Sequence, residues 1–174
     1  RLANIGVSKF ISFGNGGDIN ELDLLAALKD DAETKVVAMY AENIREGRRF
    51  MEIVSQISRH KPVIVIKSGR TASGQRAALS HTGSLAGTDE VYNQALTAVG
   101  ALRADSVEQL LDMAKAFGLA QPLAGGRLAI VTNSGGPGVM AADSVEGSGL
   151  DLPEPGETAR AALREILPAH AGLA

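Results

Sequence analysis

Residues 62–67 read Pro-Val-Ile-Val-Ile-Lys (PVIVIK), with four β-branched residues in a row behind a proline. A strand with one wet face alternates apolar and polar residues. A strand that is apolar on both faces belongs inside a sheet covered by helices on both sides. Residues 35–40 (KVVAMY) and 9–14 (KFISFG) have the same character, so three buried parallel strands are predicted, at 9–14, 35–40 and 62–67. Helical patterns lie between and after them. Leu22, Leu25 and Leu28 recur along the first, and Phe50, Ile53, Val54 and Ile57 follow i, i+3, i+4, i+7 on the second. Tyr92, Ala95, Leu96 and Val99 repeat that pattern, opened by Thr88 as N-cap. Val107, Leu110, Leu111 and Ala114 repeat it again, where Ser106 and Gln109 have capping-box spacing. A short strand is expected near 101–104.

Strand and helix thus alternate from residue 9 to residue 118. Alternation of this kind predicts an α/β fold with a doubly wound parallel sheet, flavodoxin-like or Rossmann-like. Residues 119–126 (LAQPLAGG) carry Pro122 and a glycine pair, and read as a linker. The expected division is a first domain at 1–120, a linker at 121–126 and a second unit at 127–174. In that unit 128–132 (LAIVT) reads as a strand, 133–138 (NSGGPG) as a glycine-rich turn, 139–146 as a helix and 157–167 as a further short helix. It is short for an independent α/β domain, so it is expected to be the start of a second, similar subdomain.

Composition narrows the function. The 174 residues are 45% hydrophobic, enough for a real core, and carry a formal net charge of −3. No excess of positive charge favours non-specific nucleic-acid binding. Aromatics are 3% and Trp is absent, which argues against a base-stacking platform. Cys is absent, which excludes a disulfide scaffold, a Cys-ligated zinc site and a thiol nucleophile. No apolar run approaches the ~18 residues of a transmembrane helix, and no N-terminal stretch resembles a signal peptide. A cytoplasmic location, with neither nucleic acid nor membrane as partner, is the expectation.

Chemistry concentrates in residues 69–87 (GRTASGQRAALSHTGSLAG), between a buried strand and a helix. Connections of this length inside a compact domain are usually functional or disordered. Backbone N–H groups beside glycine, hydroxyls and guanidinium groups together suit an oxyanion such as phosphate. The strand-to-helix position favours a ligand at the C-terminal edge of the sheet. His81 sits here between Ser80 and Thr82, whereas His60 ends a helix and His170 lies in the tail. An imidazole in such a loop can act as a base, a phosphate ligand or a nucleophile toward phosphorus. It can also do no more than hydrogen-bond the backbone. Glu42, just beyond the second predicted strand, is the candidate to orient one ring nitrogen. Periodicity alone does not choose it over Glu46, nor over a solvated carboxylate at a helix start. Residues 14–18 (GNGGD), with Asn15 and Asp18, form a possible ligand loop or a simple turn. In 133–138, Asn133, Ser134, Gly135, Gly136 and Gly138 could present a helix N-terminus to an anion, or make a plain turn.

Residues 67–87 (KSGRTASGQRAALSHTGSLAG) resemble the phosphohistidine loop of the NDP-forming acyl-CoA synthetases, the ADP-forming acetate–CoA ligases and relatives of succinyl-CoA synthetase. The Ser-His-Thr-Gly stretch and the following Leu-Ala-Gly are the most specific part. Residues 6–18 resemble the family's first glycine-turn segment, 35–42 its glutamate-bearing strand end, and 127–138 (RLAIVTNSGGPG) the opening of its next subdomain.

The resemblance implies a succinyl-CoA synthetase-like domain in a phosphoryl relay. An acyl-CoA and phosphate give an acyl phosphate and CoA, a histidine takes the phosphoryl group, and the phosphohistidine passes it to a nucleoside diphosphate. His81 would be that histidine and Glu42 its orienting carboxylate. Ser80, Gly83 and Ser84 would line the phosphate cradle, and the turn at Gly135–Gly138 would aim a helix N-terminus at it. Coenzyme A and ADP or ATP with Mg2+ would be substrates of the complete enzyme, alongside a carboxylic acid or acyl phosphate. They would be bound mainly by a CoA-binding Rossmann domain and an ATP-grasp domain, in the same chain or a partner subunit. Nothing here corresponds to those domains, and the family's first strand and helix normally precede the segment at Gly6. The chain is therefore expected to be a middle fragment, inactive alone. Its 128–146 segment is a candidate to fill the vacant place in the sheet, within the chain or by exchange in a homodimer. A non-catalytic synthetase-like sensing domain of a protein acetyltransferase is the alternative. Retention of His81 and Glu42 favours the catalytic reading. A flavin-binding or Asp-phosphorylated flavodoxin-like domain ranks last, for want of aromatics and of an acidic cluster at the first strand's end.

Overall fold

The computed structural model describes residues 6–14, 18–71, 73, 74, 76, 89–120, 124–169 and 171–173. Two compact units, Arg1–Gln121 and Pro122–Ala174, divide the chain. The first contains α1 (Glu21–Lys29), β1 (Val37–Ala41), α2 (Gly47–Ile57), β2 (Val63–Lys67), α3 (Asp89–Ala98), β3 (Leu102–Arg103) and α4 (Val107–Leu119).

β2 is buried along its whole length and lies between its two partners in the order β1-β2-β3, all parallel. The register pairs Val37 with Val63 through to Ala41 with Lys67, and Ile64 with Leu102. Successive side chains leave a strand on opposite faces. Val63 and Val65 accordingly join Leu22, Leu25, Phe50, Val54 and Leu96 of α1, α2 and α3. Ile64 and Ile66 face the other way, against Leu110, Met113 and Ala114 of α4. Helices on both faces explain why 62–67 carries no polar alternation, and they make the sheet doubly wound as expected.

The helix stripes follow the predicted spacing with one exception. Leu22, Leu25, Phe50, Val54, Ile57, Leu96 and Val99 are buried, but Val107 is exposed and Met113 takes the inward place on α4. Ser106 caps α4 by accepting from Gln109 N–H at 3.1 Å. The returning arm of the box, from Gln109, bonds Asp105 N–H rather than the cap itself. Asn20 and Asp23 close a full capping box on α1. Thr88 lies outside the described residues.

Three expectations are corrected. Residues 9–14 form no strand, and Phe10 is 89% exposed. A strand needs a paired edge for its backbone groups. Here 9–14 instead lines a cavity of about 770 Å3 together with β1 and the residues that follow it. In the second unit 128–132 forms no strand either. Its neighbourhood makes a single bridge, Arg127 to Asp151. Finally, the glycine-rich turn is helical. α5 runs Gly135–Val145 with Ser134 as N-cap, and α6 spans Glu157–Ile166. Pro137 falls in the first turn, where its missing N–H and fixed φ are tolerated. Among the described residues no helix is long and apolar enough to cross a membrane.

Candidate functional site

Parallel pairing fixes what stands at the C-terminal edge of the sheet. Ala41 and Lys67 are register partners, so the chain leaves β1 at Glu42 and β2 at Ser68 side by side. Ser68 N–H donates to the Ala41 carbonyl at 3.0 Å, extending the ladder one residue past β2. Glu42 is half-buried there. Next to it, the Asn43 side-chain oxygen accepts from the Tyr92 hydroxyl of α3 at 3.4 Å.

Lys67 ends β2 and is 3% exposed. Its ammonium donates to the Ser68 carbonyl and lies 4.7 Å from the centroid of the Tyr92 ring. Burial pushes its pKa below the ordinary lysine range. The Asp89 carboxylate works against that shift, the Arg103 guanidinium adds to it, and the Glu42 carboxylate opposes it.

The chain then turns through Gly69, whose φ of 71° suits glycine, into the segment that bears His81. Charges close the base of this segment. Arg70 Nε lies 3.6 Å from Asp89 Oδ2, and its Nη1 lies 2.5 Å from Asp105. The other Asp89 oxygen pairs with Arg103 Nη2. The Arg103 Nε is buried and has no hydrogen-bond partner among the described residues.

Of the residues singled out from sequence, His81, Ser80, Gly83, Ser84 and Asn15 lie outside the described residues. Glu42 stands at the sheet edge where the loop begins. Glu46, which the sequence could not separate from it, is an exposed N-cap of α2 with no side-chain cap bond, 3.8 Å from Arg49. Asp18 is exposed at a bend. Asn133, Ser134, Gly135 and Gly136 are exposed and belong to the second unit. There Thr132 Oγ1 accepts from Ser134 N–H at 3.1 Å and donates to the Ser134 carbonyl at 3.0 Å. Gly138 packs against Thr132, where an added Cβ would stand 3.0 Å from the threonine methyl.

Sequence reasoning missed Lys67, Tyr92 and the Arg70–Asp89–Arg103 network. One signal was available: a charged residue ending a strand that is otherwise wholly apolar. Among the described residues no three His, Asp or Glu side chains converge to hold a metal ion.

A parallel doubly wound sheet, with a glutamate and the entry to the segment that bears His81 at its C-terminal edge, belongs to a known class. The model of the family described as "succinyl-CoA ligase like flavodoxin domain" matches residues 1–117, and the chain belongs to that family. Its similarity extends further, to the ADP-forming acetate–CoA ligases. It is 46% identical over 171 residues to the alpha subunit of the ADP-forming acetate–CoA ligase II of Pyrococcus furiosus, covering 98% of this chain and 37% of that one. It is 41% identical over 172 residues to the ADP-forming acetate–CoA ligase of Methanocaldococcus jannaschii, covering 99% of this chain and 24% of that one. Among solved structures, an acetyl-coenzyme A synthetase 1 of Ca. Korarchaeum cryptofilum, in complex with phosphate and ADP, superposes with a TM-score of 0.86 at 39% identity, covering 94% of this chain and 36% of that one. The chain thus spans between about a quarter and two fifths of the length of these relatives. The family is the one that residues 67–87 resemble.

Proposed function

We propose that the chain is the phosphoryl-carrier region of an ADP-forming acyl-CoA synthetase, an acid–thiol ligase. In the complete enzyme, phosphate attacks the acyl-CoA thioester carbonyl, releasing CoA and giving an acyl phosphate. An unprotonated ring nitrogen of His81 then attacks phosphorus, and the P–O bond to the carboxylate breaks, releasing the acid. A terminal oxygen of ADP attacks the phosphohistidine, the P–N bond breaks, and ATP leaves. Glu42 accepts a hydrogen bond from the other ring nitrogen, fixing the tautomer and stabilising the cationic ring. Ser80, Gly83 and Ser84 line the phosphate cradle. The first two residues of α5, Gly135 and Gly136, offer N–H groups to a phosphate anion, whereas the N–H of Ser134 is bonded to Thr132 Oγ1 and that of Gly138 to the Ser134 carbonyl.

The observation that carries this reading is the placement of Glu42. It is half-buried at the end of β1, level with Lys67 and Ser68, where the chain enters the segment that bears His81. Names support the substrates: the relatives are ADP-forming CoA ligases, and the Korarchaeum structure holds phosphate and ADP. CoA and the nucleotide would be held mainly by CoA-binding and ATP-grasp domains, in the same polypeptide or a partner subunit. Mg2+ would be held with the nucleotide, mainly by those domains; among the described residues no three His, Asp or Glu side chains converge. A cytoplasmic location follows from the CoA and nucleotide substrates.

The test is phosphoryl transfer to histidine in the complete synthetase. Incubation with γ-labelled ATP and Mg2+ is expected to leave acid-labile, base-stable label that disappears in His81→Ala. Label that survives this substitution refutes the assignment of His81, and absence of label from a folded, ligand-binding enzyme refutes the relay.

A further inference from the structure

Lys67 stands where a buried strand would ordinarily end in an apolar residue. Lysines are almost never fully buried unless paired, because removing an ammonium from water is strongly unfavourable. Three things hold this one. The Ser68 carbonyl accepts from its Nζ, the Tyr92 ring lies 4.7 Å away, and the carboxylates of Asp89 and Glu42 attract it. Tyr92 in turn bonds Asn43, the neighbour of Glu42. The sheet does not need this charge, since Ala41 and Lys67 pair through backbone alone. A methionine would fill the space without the desolvation.

We propose that Lys67 is a positioning residue of the phosphoryl relay. Its buried ammonium, at the end of the strand paired with β1, attracts the Glu42 carboxylate electrostatically and offsets the like charge of that carboxylate and a phosphoryl group brought to the same edge of the sheet. The inference rests on the relay reading above. A phosphoryl group adds nearly two negative charges, and beside a carboxylate of fixed position these repel. A cation fixed in a low-dielectric site opposes that repulsion without having to reorganise.

The charged and titratable groups facing Lys67 are Glu42 beyond β1, Asp89 and Tyr92 on α3, and Arg103 on β3. Its ammonium is held below the ordinary lysine range, chiefly by burial. Raising the pH through that lowered value removes the charge, so the relay fails from the alkaline side. An arginine at this place does not titrate.

The experiment measures the initial rate of acid-labile labelling of the complete synthetase by γ-labelled ATP and Mg2+, from neutral to strongly alkaline pH. It compares wild type, Lys67→Met and Lys67→Arg, with His81→Ala as blank. Lys67→Met is expected to melt at or above the wild-type temperature yet label at least about tenfold more slowly. Lys67→Arg is expected to label at neutral pH and to lose the alkaline fall. Wild-type labelling by a folded Lys67→Met overturns the proposal. So does an alkaline fall in Lys67→Arg that matches wild type, and this arm decides if Lys67→Met does not fold. Absence of His81-dependent label in the wild type overturns the relay reading itself, and this inference with it.

Discussion

Arg70 and Asp89, the residues that flank the His81 segment, are joined across its base, with Arg70 Nε 3.6 Å from Asp89 Oδ2. The two ends of a long connection are thereby held together whatever the middle does. The strengths of the pairs around them differ. Arg70 has a largely exposed side chain, at 41%, and exposed ion pairs contribute about 0–1 kcal/mol. Arg103 is nearly buried, at 12%, and depends on the same aspartate. Asp89→Asn is therefore expected to cost about 1–2 kcal/mol, between the exposed and buried limits, and Arg70→Ala less than about 1 kcal/mol. Urea titrations of the two variants check the order. Equal losses would mean that Arg103 does not lean on Asp89.

A second tie anchors the segment before α1. Lys9 Nζ lies 2.6 Å from Asp31 Oδ2, Thr34 donates to the same oxygen, and Ser8 bonds Thr34 at 2.9 Å. The Lys9 hydrogen bond is the main cause that holds the Asp31 pKa below its ordinary value of 3.8, with Thr34 second. A carboxylate lowered on folding stabilises the fold at pH values above the unfolded pKa. That contribution is lost as the pH falls through the folded value. Stability is expected to fall below the ordinary carboxylate range, and Asp31→Asn to flatten that part of the profile. Urea midpoints measured down the acid range test this, and an unchanged acid slope in the variant would contradict it.

What the sequence revealed follows the range of the interactions involved. β1, β2 and four helices of the first unit were legible, because burial on both faces of a strand or one face of a helix leaves a local pattern. Residues 9–14 and 128–132 carry the same apolar pattern as β2 yet are not strands. Pairing depends on a partner distant in sequence, which composition does not report. The start of α5 was misread because three glycines and a proline suggest a turn, although a first helical turn tolerates all four. Glu42 and Glu46 looked alike until parallel pairing set the first at the sheet edge and left the second exposed. Lys67 was visible as a lone charge closing a buried strand, but its meaning lay in the ring and carboxylates that other elements bring to it.

The difference between those two glutamates can be tested. In the complete synthetase, Glu42→Gln keeps the shape but removes the charge that would orient His81. It is expected to lower the rate of histidine labelling by about 10²-fold or more, the lower end of what a positioned acid–base partner contributes. Glu46→Gln touches, among the described residues, an exposed pairing with Arg49 and is expected to label like wild type. Equal effects in the two variants would remove Glu42 from the relay.

The glycines opening α5 divide in the same way between structure and chemistry. Nothing lies within 4 Å of a Cβ built on Gly135, whereas one on Gly138 stands 3.0 Å from the Thr132 methyl. That threonine is fixed by its two hydrogen bonds to Ser134. Alanine favours a helix over glycine by up to about 1 kcal/mol. Gly135→Ala is thus expected to raise the hydrogen-exchange protection of α5 amides, by up to about fivefold for a gain near 1 kcal/mol. Gly138→Ala must displace the threonine and is expected to leave protection unchanged or lower. If both variants protect α5 equally, the Thr132 contact carries no weight. The same pair examines the phosphate cradle. If the Gly135 and Gly136 N–H groups face the phosphorylated histidine, the added methyl of Gly135→Ala intrudes on the anion. Labelling in the complete synthetase then slows although α5 is more stable. A Gly135→Ala enzyme that is both better protected and labelled at the wild-type rate would confine this turn to a structural role.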